Sequence, residues 1–175
     1  EGELPWTNID GLHRMILEEI LGALEIELGE GEKEEWNRVW HRLKPWGDSI
    51  AGIERLRTKY IVASLSNGNM ALLTNMARNA GFAWDCVLSA ELAGEYKPNT
   101  AVYQKAAALL GLNTEEVMMM AAHGHDLAGA RSAGMKTAFV LRATEYGPEQ
   151  VNDLAPPEWV DIAAGDFLEL ADKLG

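Results

Sequence analysis

The sequence has a single cysteine, few basic residues and no long hydrophobic run. One cysteine, Cys86, excludes a disulfide framework. The 15 Lys and Arg residues against 27 Asp and Glu give a net charge of −12, which argues against nucleic acid or an anionic membrane as a partner. No stretch reaches the roughly 18 apolar residues of a membrane span, and the first residues lack a signal-peptide pattern. We therefore expect a cytoplasmic globular protein.

The first part of the chain has the pattern of helices. Apolar residues recur every four positions at Leu12, Ile16, Ile20, Leu24 and Leu28. With a capping box at Thr7, this spacing predicts one helix that ends at Gly29. A second helix is predicted from about residue 32 to Pro45. We assign residues 1–50 to a helical subdomain and residues 51–175 to a core.

The core shows short apolar runs that alternate with helical stretches. The runs cover residues 60–65, 84–88, 117–122, 137–141 and, more weakly, 159–162. The helical stretches lie near residues 69–80, 100–111, 126–133 and 166–174. Runs that are apolar on both faces and separated by helices indicate buried parallel strands. We therefore predict a three-layer α/β core, with any ligand beyond the carboxyl ends of the strands.

Polar residues follow the first apolar run in the string Ser66-Asn67-Gly68-Asn69. A hydroxyl, an amide and free backbone N–H groups at the start of a helix can bind an anion. The same side chains could instead only cap the next helix. The pattern leaves both roles open for Ser66 and Asn67.

Lys97 lies between the second apolar run and a helix that Pro98 is suited to begin. This position places Lys97 near the rim of the sheet. A lone lysine is usually a solvated surface charge, so only its place between a strand and a helix favours a functional role.

The third run ends in Ala121-Ala122-His123-Gly124-His125-Asp126. Imidazole and carboxylate are zinc ligands. The spacing supports zinc poorly, because His125 and Asp126 are adjacent and the other two histidines lie in the helical part. His123 is either a catalytic residue or a hydrogen-bonded histidine at the end of a strand.

Three ordered motifs, SLSNGN, LSAELAGEYKPNTAVYQKAA and AAHGHDLAGARSAGMKTAFV, resemble the haloacid dehalogenase superfamily. Within it, the sequence is similar to the type II 2-haloacid dehalogenases over residues 60–142, and the leading helices look like the cap of that group. The resemblance implies a hydrolase with a Rossmann-like α/β/α core, a parallel sheet and a helical cap.

The nucleophile of that superfamily is an aspartate that follows the first strand of the core, in a D-x-D-x-T or D-x-Y-G-T pattern. Asp10-Gly11 is the one superficial candidate, and it follows LPWTNI at the start of a helix. The resemblance therefore implies that the first strand, its nucleophile and the beginning of the cap precede residue 1. We expect these 175 residues alone to be inactive.

The resemblance assigns roles to the other site residues. Ser66 would bind and orient the substrate and the nucleophile, and Asn67 would help receive the departing halide. Lys97 would hold the nucleophilic carboxylate and the substrate anion. Asp126 would pair with Lys97 and help orient the hydrolytic water, which His123 could position or deprotonate.

The leading hypothesis is cleavage of the carbon–halogen bond of a small 2-haloalkanoic acid, through an aspartyl ester, to give the 2-hydroxy acid. Related phosphatases carry a magnesium-binding carboxylate where this sequence has Ala121 and Ala122, so we expect no metal and no cofactor. A small-molecule phosphatase and a catalytically inert binding protein are the alternatives. The predicted partner is a small anionic 2-haloacid, and the resemblance implies a homodimer through the cap helices.

Overall fold

The structure is a computed structural model that describes residues 5–175. Within these residues, helices alternate with short strands. The α-helices are α1 (Ile9–Ala23), α2 (Glu30–Asn37), α3 (Ser49–Arg57), α4 (Met70–Ala80), α5 (Thr100–Leu109), α6 (Gly124–Ser132) and α7 (Phe167–Leu174). The strands are β1 (Ala63–Ser66), β2 (Cys86–Ser89), β3 (Met118–Ala121), β4 (Lys136–Val140) and β5 (Ile162–Ala164). Short 3-10 helices cover Arg38–Arg42, Ala90–Ala93 and Thr114–Glu116. None of the described helices is long and apolar enough to cross a membrane.

The first helix differs from its prediction at both ends. Its N-cap is Asn8, not Thr7, because the Asn8 side chain accepts the hydrogen bond from the backbone N–H of Gly11 at 3.0 Å. The helix stops where Glu25 takes a left-handed φ of 54°, the backbone conformation that closes many helix ends. Leu28 therefore lies outside α1.

The predicted apolar row of α1 is largely uncovered in the described part of the chain. Ile16, Ile20 and Leu24 are 52%, 50% and 62% exposed. Leu21 is the buried residue of this helix. The apolar pattern predicted the helix correctly, but this row faces outward among the residues that the structure describes.

The five strands form two parallel sheets. In one, β1 pairs with β2, so that Ser66 lies beside Ser89. In the other, the order is β3-β4-β5. Within residues 5–175, β1 pairs only with β2. β3 is an edge strand of the three-stranded sheet and pairs only with β4. All residues of β1 and β3 are half-buried, whereas four of the five residues of β4 are buried.

A shared core nevertheless joins the two sheets. On one side, Leu65 of β1 and Met119 of β3 pack against a cluster that includes Tyr103 of α5 and Ala130 of α6. On the other side, Met120 packs with residues of α3 and α7. Adjacent residues of β3 thus point to opposite helical layers, as the alternation of side chains along a strand requires. The predicted parallel α/β architecture is confirmed.

Two further boundaries differ from their predictions. The last strand begins at Ile162 rather than covering residues 159–162, because Val160 donates its N–H to the carbonyl of Pro157 in a turn. The second helix ends at Asn37 and continues only as a 3-10 helix. The division between residues 1–50 and 51–175 stays a prediction, and residues 1–4 of that first part lie outside the described residues.

Candidate active site

A buried ion pair joins the loop after β2 to the helix after β3. Lys97 Nζ donates a hydrogen bond to Asp126 Oδ2 at 2.7 Å, and the two side chains are only 11% and 12% exposed. Burial lowers the pKa of Lys97, and the charge of Asp126 opposes that change. In a protein of net charge −12, this lysine provides a concentrated positive charge beside a carboxylate.

Tyr103, which the sequence analysis did not single out, completes this pair. Its hydroxyl donates to Asp126 Oδ1 at 2.6 Å. The side chain is fully buried, and burial together with the hydrogen bond to Asp126 raises the pKa of the Tyr103 phenol. Both carboxylate oxygens of Asp126 therefore have donors, which fixes the orientation of the carboxylate. The available signal in the sequence was a tyrosine on the helix that directly follows Lys97.

Asn67 ties the loop after β1 to the backbone of Lys97. Its side-chain oxygen accepts the Lys97 N–H at 2.7 Å, and its amide nitrogen lies 3.4 Å from the Lys97 carbonyl oxygen. The loops after β1 and β2 are thus connected directly. One N–H of the Asn67 amide points along this contact, and the other is the group that could meet a substrate.

Ser66 shapes its own loop and does not cap the next helix. Its hydroxyl oxygen accepts the N–H of Gly68 at 3.1 Å, which leaves the hydroxyl hydrogen free to donate. The N-cap of α4 is Asn69. Ser89 donates its hydroxyl to the Gly68 carbonyl at 2.6 Å and so holds the turn from the neighbouring strand. The capping alternative for Ser66 and Asn67 was therefore wrong.

His123 lies at the end of β3 and is the N-cap residue of α6. Its Nδ1 is 3.1 Å from Asp153 Oδ2, and its Nε2 is 3.3 Å from Glu145 Oε1. Burial lowers the pKa of His123, but the hydrogen bond to Asp153 and the charge of Glu145 outweigh it, so the pKa is raised. Asp153 also accepts the N–H of Gly124 at 2.9 Å. No sequence motif marks Asp153 or Glu145, which belong to the long loop before β5.

Comparison with known families gives the class of protein. A family model described as haloacid dehalogenase-like hydrolase matches residues 8–134. The chain belongs to this family. The predicted superfamily is thereby confirmed.

Individual members of the haloacid dehalogenase family are similar over most of the chain. An (S)-2-haloacid dehalogenase of Burkholderia cepacia is 32% identical over 145 residues, which are 77% of this chain and 63% of that protein. The crystal structure of an L-2-haloacid dehalogenase superposes with a TM-score of 0.97 at 46% identity, covering 99% of this chain and 77% of that one. A defluorinating L-2-haloacid dehalogenase superposes with a TM-score of 0.96 at 42% identity, covering 99% and 72%. The chain spans less than two thirds of the length of the curated relative.

The donors that residues 5–175 place around Lys97 and Asp126 do not fit a resident magnesium ion. Ala121 and Ala122 have no side-chain oxygen at the positions where the resemblance places the phosphatase carboxylate. The Asp126 carboxylate is held by Lys97 and Tyr103. Within residues 5–175, no three His, Cys, Asp or Glu side chains are arranged to hold a metal ion.

Proposed function

We propose that the whole protein hydrolyses the carbon–halogen bond of a small 2-haloalkanoic acid and releases the 2-hydroxy acid. The observation that carries this proposal is the buried Lys97–Asp126 pair, which connects the ends of β1 and β3 through Asn67. It is supported by the similarity to (S)-2- and L-2-haloacid dehalogenases.

In the first step, an aspartate carboxylate attacks C2 of the substrate, and the halide leaves with the electron pair of its bond to carbon. The product is an ester between the aspartate and the 2-carbon of the acid. We propose that this aspartate follows a further strand, because the resemblance puts the nucleophile after the first strand of the core, and β1 and β3 each have one unpaired edge within residues 5–175. Asp10 does not fit the role, because His41 and Asn69 occupy its carboxylate oxygens.

Lys97 would hold the nucleophile and the substrate carboxylate through its ammonium group. Asn67 and Ser66 would donate hydrogen bonds, Asn67 to the departing halide and Ser66 to the substrate or the nucleophile. Short polar donors at fixed positions stabilise developing negative charge without reorganisation of solvent. Asp126 keeps Lys97 at the site and prevents it from turning into solvent.

In the second step, water attacks the carbonyl carbon of the ester, the ester C–O bond breaks, and the aspartate is regenerated with the 2-hydroxy acid. Asp126 would help orient this water. We propose that His123 takes the proton of the water at Nε2, where the water replaces the contact with Glu145, which at 3.3 Å is the longer of the two carboxylate contacts of this ring. The alternative is that His123 has only a structural role at the end of β3. The pH dependence of kcat distinguishes the two roles.

The decisive measurement is halide release by the full-length protein. We expect chloride release from 2-chloropropionate that neither magnesium nor a chelator changes. Phosphate release from phosphoesters that requires magnesium, without chloride release, would overturn the proposal in favour of a phosphatase. Turnover of neither substrate by folded protein would favour the inert alternative.

A single turnover in ¹⁸O-labelled water tests the ester intermediate. With enzyme in excess, the hydroxy acid should carry oxygen from the unlabelled aspartate, and the label should enter the protein. Label in the hydroxy acid after the first turnover would show direct attack of water on carbon and contradict the aspartyl ester.

The raised pKa of His123 gives a pH prediction. If neutral imidazole accepts the proton, kcat falls as the pH drops through this pKa. Asp153→Asn removes a negative charge and lowers the pKa of His123, so the acid limb should move to lower pH. His123→Asn should lower kcat by about 10²-fold and remove the limb. If the acid limb of the kcat–pH profile stays in place in the folded Asp153→Asn variant, His123 is not the base.

The homodimer stays a prediction. The exposed residues Ile16 and Ile20 of α1, with Leu24 at its C-cap, form an apolar surface that such a contact could bury.

A further inference from the structure

Asp10 has contacts that the proposed chemistry does not use. It lies in the first turn of α1, and its side chain is one quarter exposed. Asn69 Nδ2 donates to Asp10 Oδ2 at 2.9 Å, and the Asp10 N–H donates to Asn69 Oδ1 at 3.2 Å. This reciprocal contact joins the start of α1 to the first residue after the turn that contains Ser66 and Asn67.

His41 supports Asp10 from the 3-10 helix. His41 Nε2 is 3.0 Å from Asp10 Oδ1, and Asn75 Nδ2 is 2.9 Å from His41 Nδ1. Because the Asn75 amide donates, Nδ1 acts as the acceptor and Nε2 carries the hydrogen that faces Asp10. Both ring nitrogens of His41 are therefore hydrogen-bonded within the protein, at 2.9 and 3.0 Å. We call Asp10, Asn69 and His41 the Asp10 clasp.

The clasp is connected to the candidate active site through a short stretch of backbone. Asn69 is 3% exposed and is two residues from Asn67, whose side chain holds the backbone N–H of Lys97. Gly68 lies between them and is fixed by Ser89. Asn69 and Asn67 therefore belong to one short turn, and Asn67 of that turn contacts the backbone of Lys97.

Two further contacts tie the start of α1 to the same loops. The Tyr96 hydroxyl donates to the carbonyl of Thr7, and Tyr96 directly precedes Lys97. Glu91 accepts the N–H of Met70 at 2.7 Å, and its other oxygen is 3.4 Å from the Asn8 amide. The beginning of this helix thus contacts the loops after β1 and β2.

We infer that Asp10 is a positioning residue, which fixes the loop of Ser66 and Asn67 through Asn69 and thereby sets the place of Lys97. The inference rests on the proposed function for its kinetic consequence. Its structural consequence, the order of the loop, is independent of the substrate. A displacement of the order of 1 Å at a catalytic group costs up to about 10²-fold in rate.

The test compares Asp10→Ala and Asp10→Asn in the full-length protein, with Glu18→Ala as the matched control. Glu18 lies on the same helix in an exposed ion pair with Arg14. Asp10→Ala should lower kcat for 2-chloropropionate about tenfold, with little change in KM. Asp10→Asn keeps an acceptor for the Asn69 amide but turns its own NH2 toward the N–H of His41 Nε2, so its kcat should lie between those of Asp10→Ala and the parent.

Hydrogen exchange of the Gly68 and Asn69 amides supplies the second readout. These amides should exchange about tenfold faster in Asp10→Ala than in the parent or in Glu18→Ala, because local opening costs less free energy. A lower melting temperature with unchanged kcat and unchanged exchange would overturn the inference. If the parent releases no halide, the exchange result still decides the role of Asp10, so failure of the proposed function is recognised separately.

Discussion

Lys97→Met in the full-length protein is expected to lower kcat/KM for 2-chloropropionate by about 10³-fold. The substitution keeps an unbranched side chain of similar length and removes the ammonium group. The nucleophile and the substrate carboxylate would then lie close together without a cation between them. Chloride release under steady-state conditions measures the effect, at a temperature where the variant is folded.

The stability of the same variant needs its own control. Loss of the ammonium leaves Asp126 buried with Tyr103 as its remaining side-chain donor, which typically costs about 3–5 kcal/mol. The double variant Lys97→Met/Asp126→Asn removes both charges and should recover most of the melting temperature without recovering activity. Lys105 is an exposed lysine on α5. The control variant Lys105→Met should therefore leave the melting temperature and the activity unchanged. A folded Lys97→Met enzyme with parental activity would refute the site assignment.

Gly129→Ala is expected to lower the melting temperature and the activity together. A Cβ at this position would lie 2.9 Å from the backbone oxygen of Pro98 and 2.7 Å from the Tyr103 hydroxyl oxygen. Overpacking of this kind costs about 1–3 kcal/mol, which is roughly 2–12 °C for a protein of this size. Since Pro98 follows Lys97 directly, a shift of its backbone should also lower kcat about tenfold.

Gly22→Ala is the matched control for this packing argument. Gly22 lies in α1, and a Cβ there would meet no atom within 4 Å. Alanine is favoured over glycine in a helix by about 0.5–1 kcal/mol, so the melting temperature should stay the same or rise. Equal melting temperatures for the two variants would contradict the close approach of α6 to Pro98. Thermal unfolding followed by circular dichroism measures both.

The strands were predictable because parallel strands buried by helices leave a strong apolar signal. Residues 117–122 and 137–141 contain β3 and most of β4. The ends of the helices were less predictable from the sequence. Glu25 closes α1 in a left-handed conformation that sequence statistics reserve mainly for glycine, and the exposed row of α1 shows that an apolar pattern indicates a helix without indicating what covers it.

The position of Lys97 near the sheet rim was predictable, whereas its hydrogen-bonded surroundings were not. The contacts of Asp126 with Tyr103 and of His123 with Asp153 join residues more than 20 positions apart. Such pairs depend on how helices and loops pack after the strands are in place, and no local spacing encodes them. The roles proposed for Ser66, Asn67, Lys97, Asp126 and His123 stay predictions until the variants are measured.

The two βαβ units also have a consequence for the order of folding. α4 bridges β1 and β2, and α6 bridges β3 and β4, so each strand pair closes within a short length of chain. Contacts that are local in sequence form at the lowest entropic cost and therefore early. The bond between Lys97 and Asp126 joins one unit to the other. The chain must therefore assemble both βαβ units before it can assemble its site, and the ion pair reports their docking.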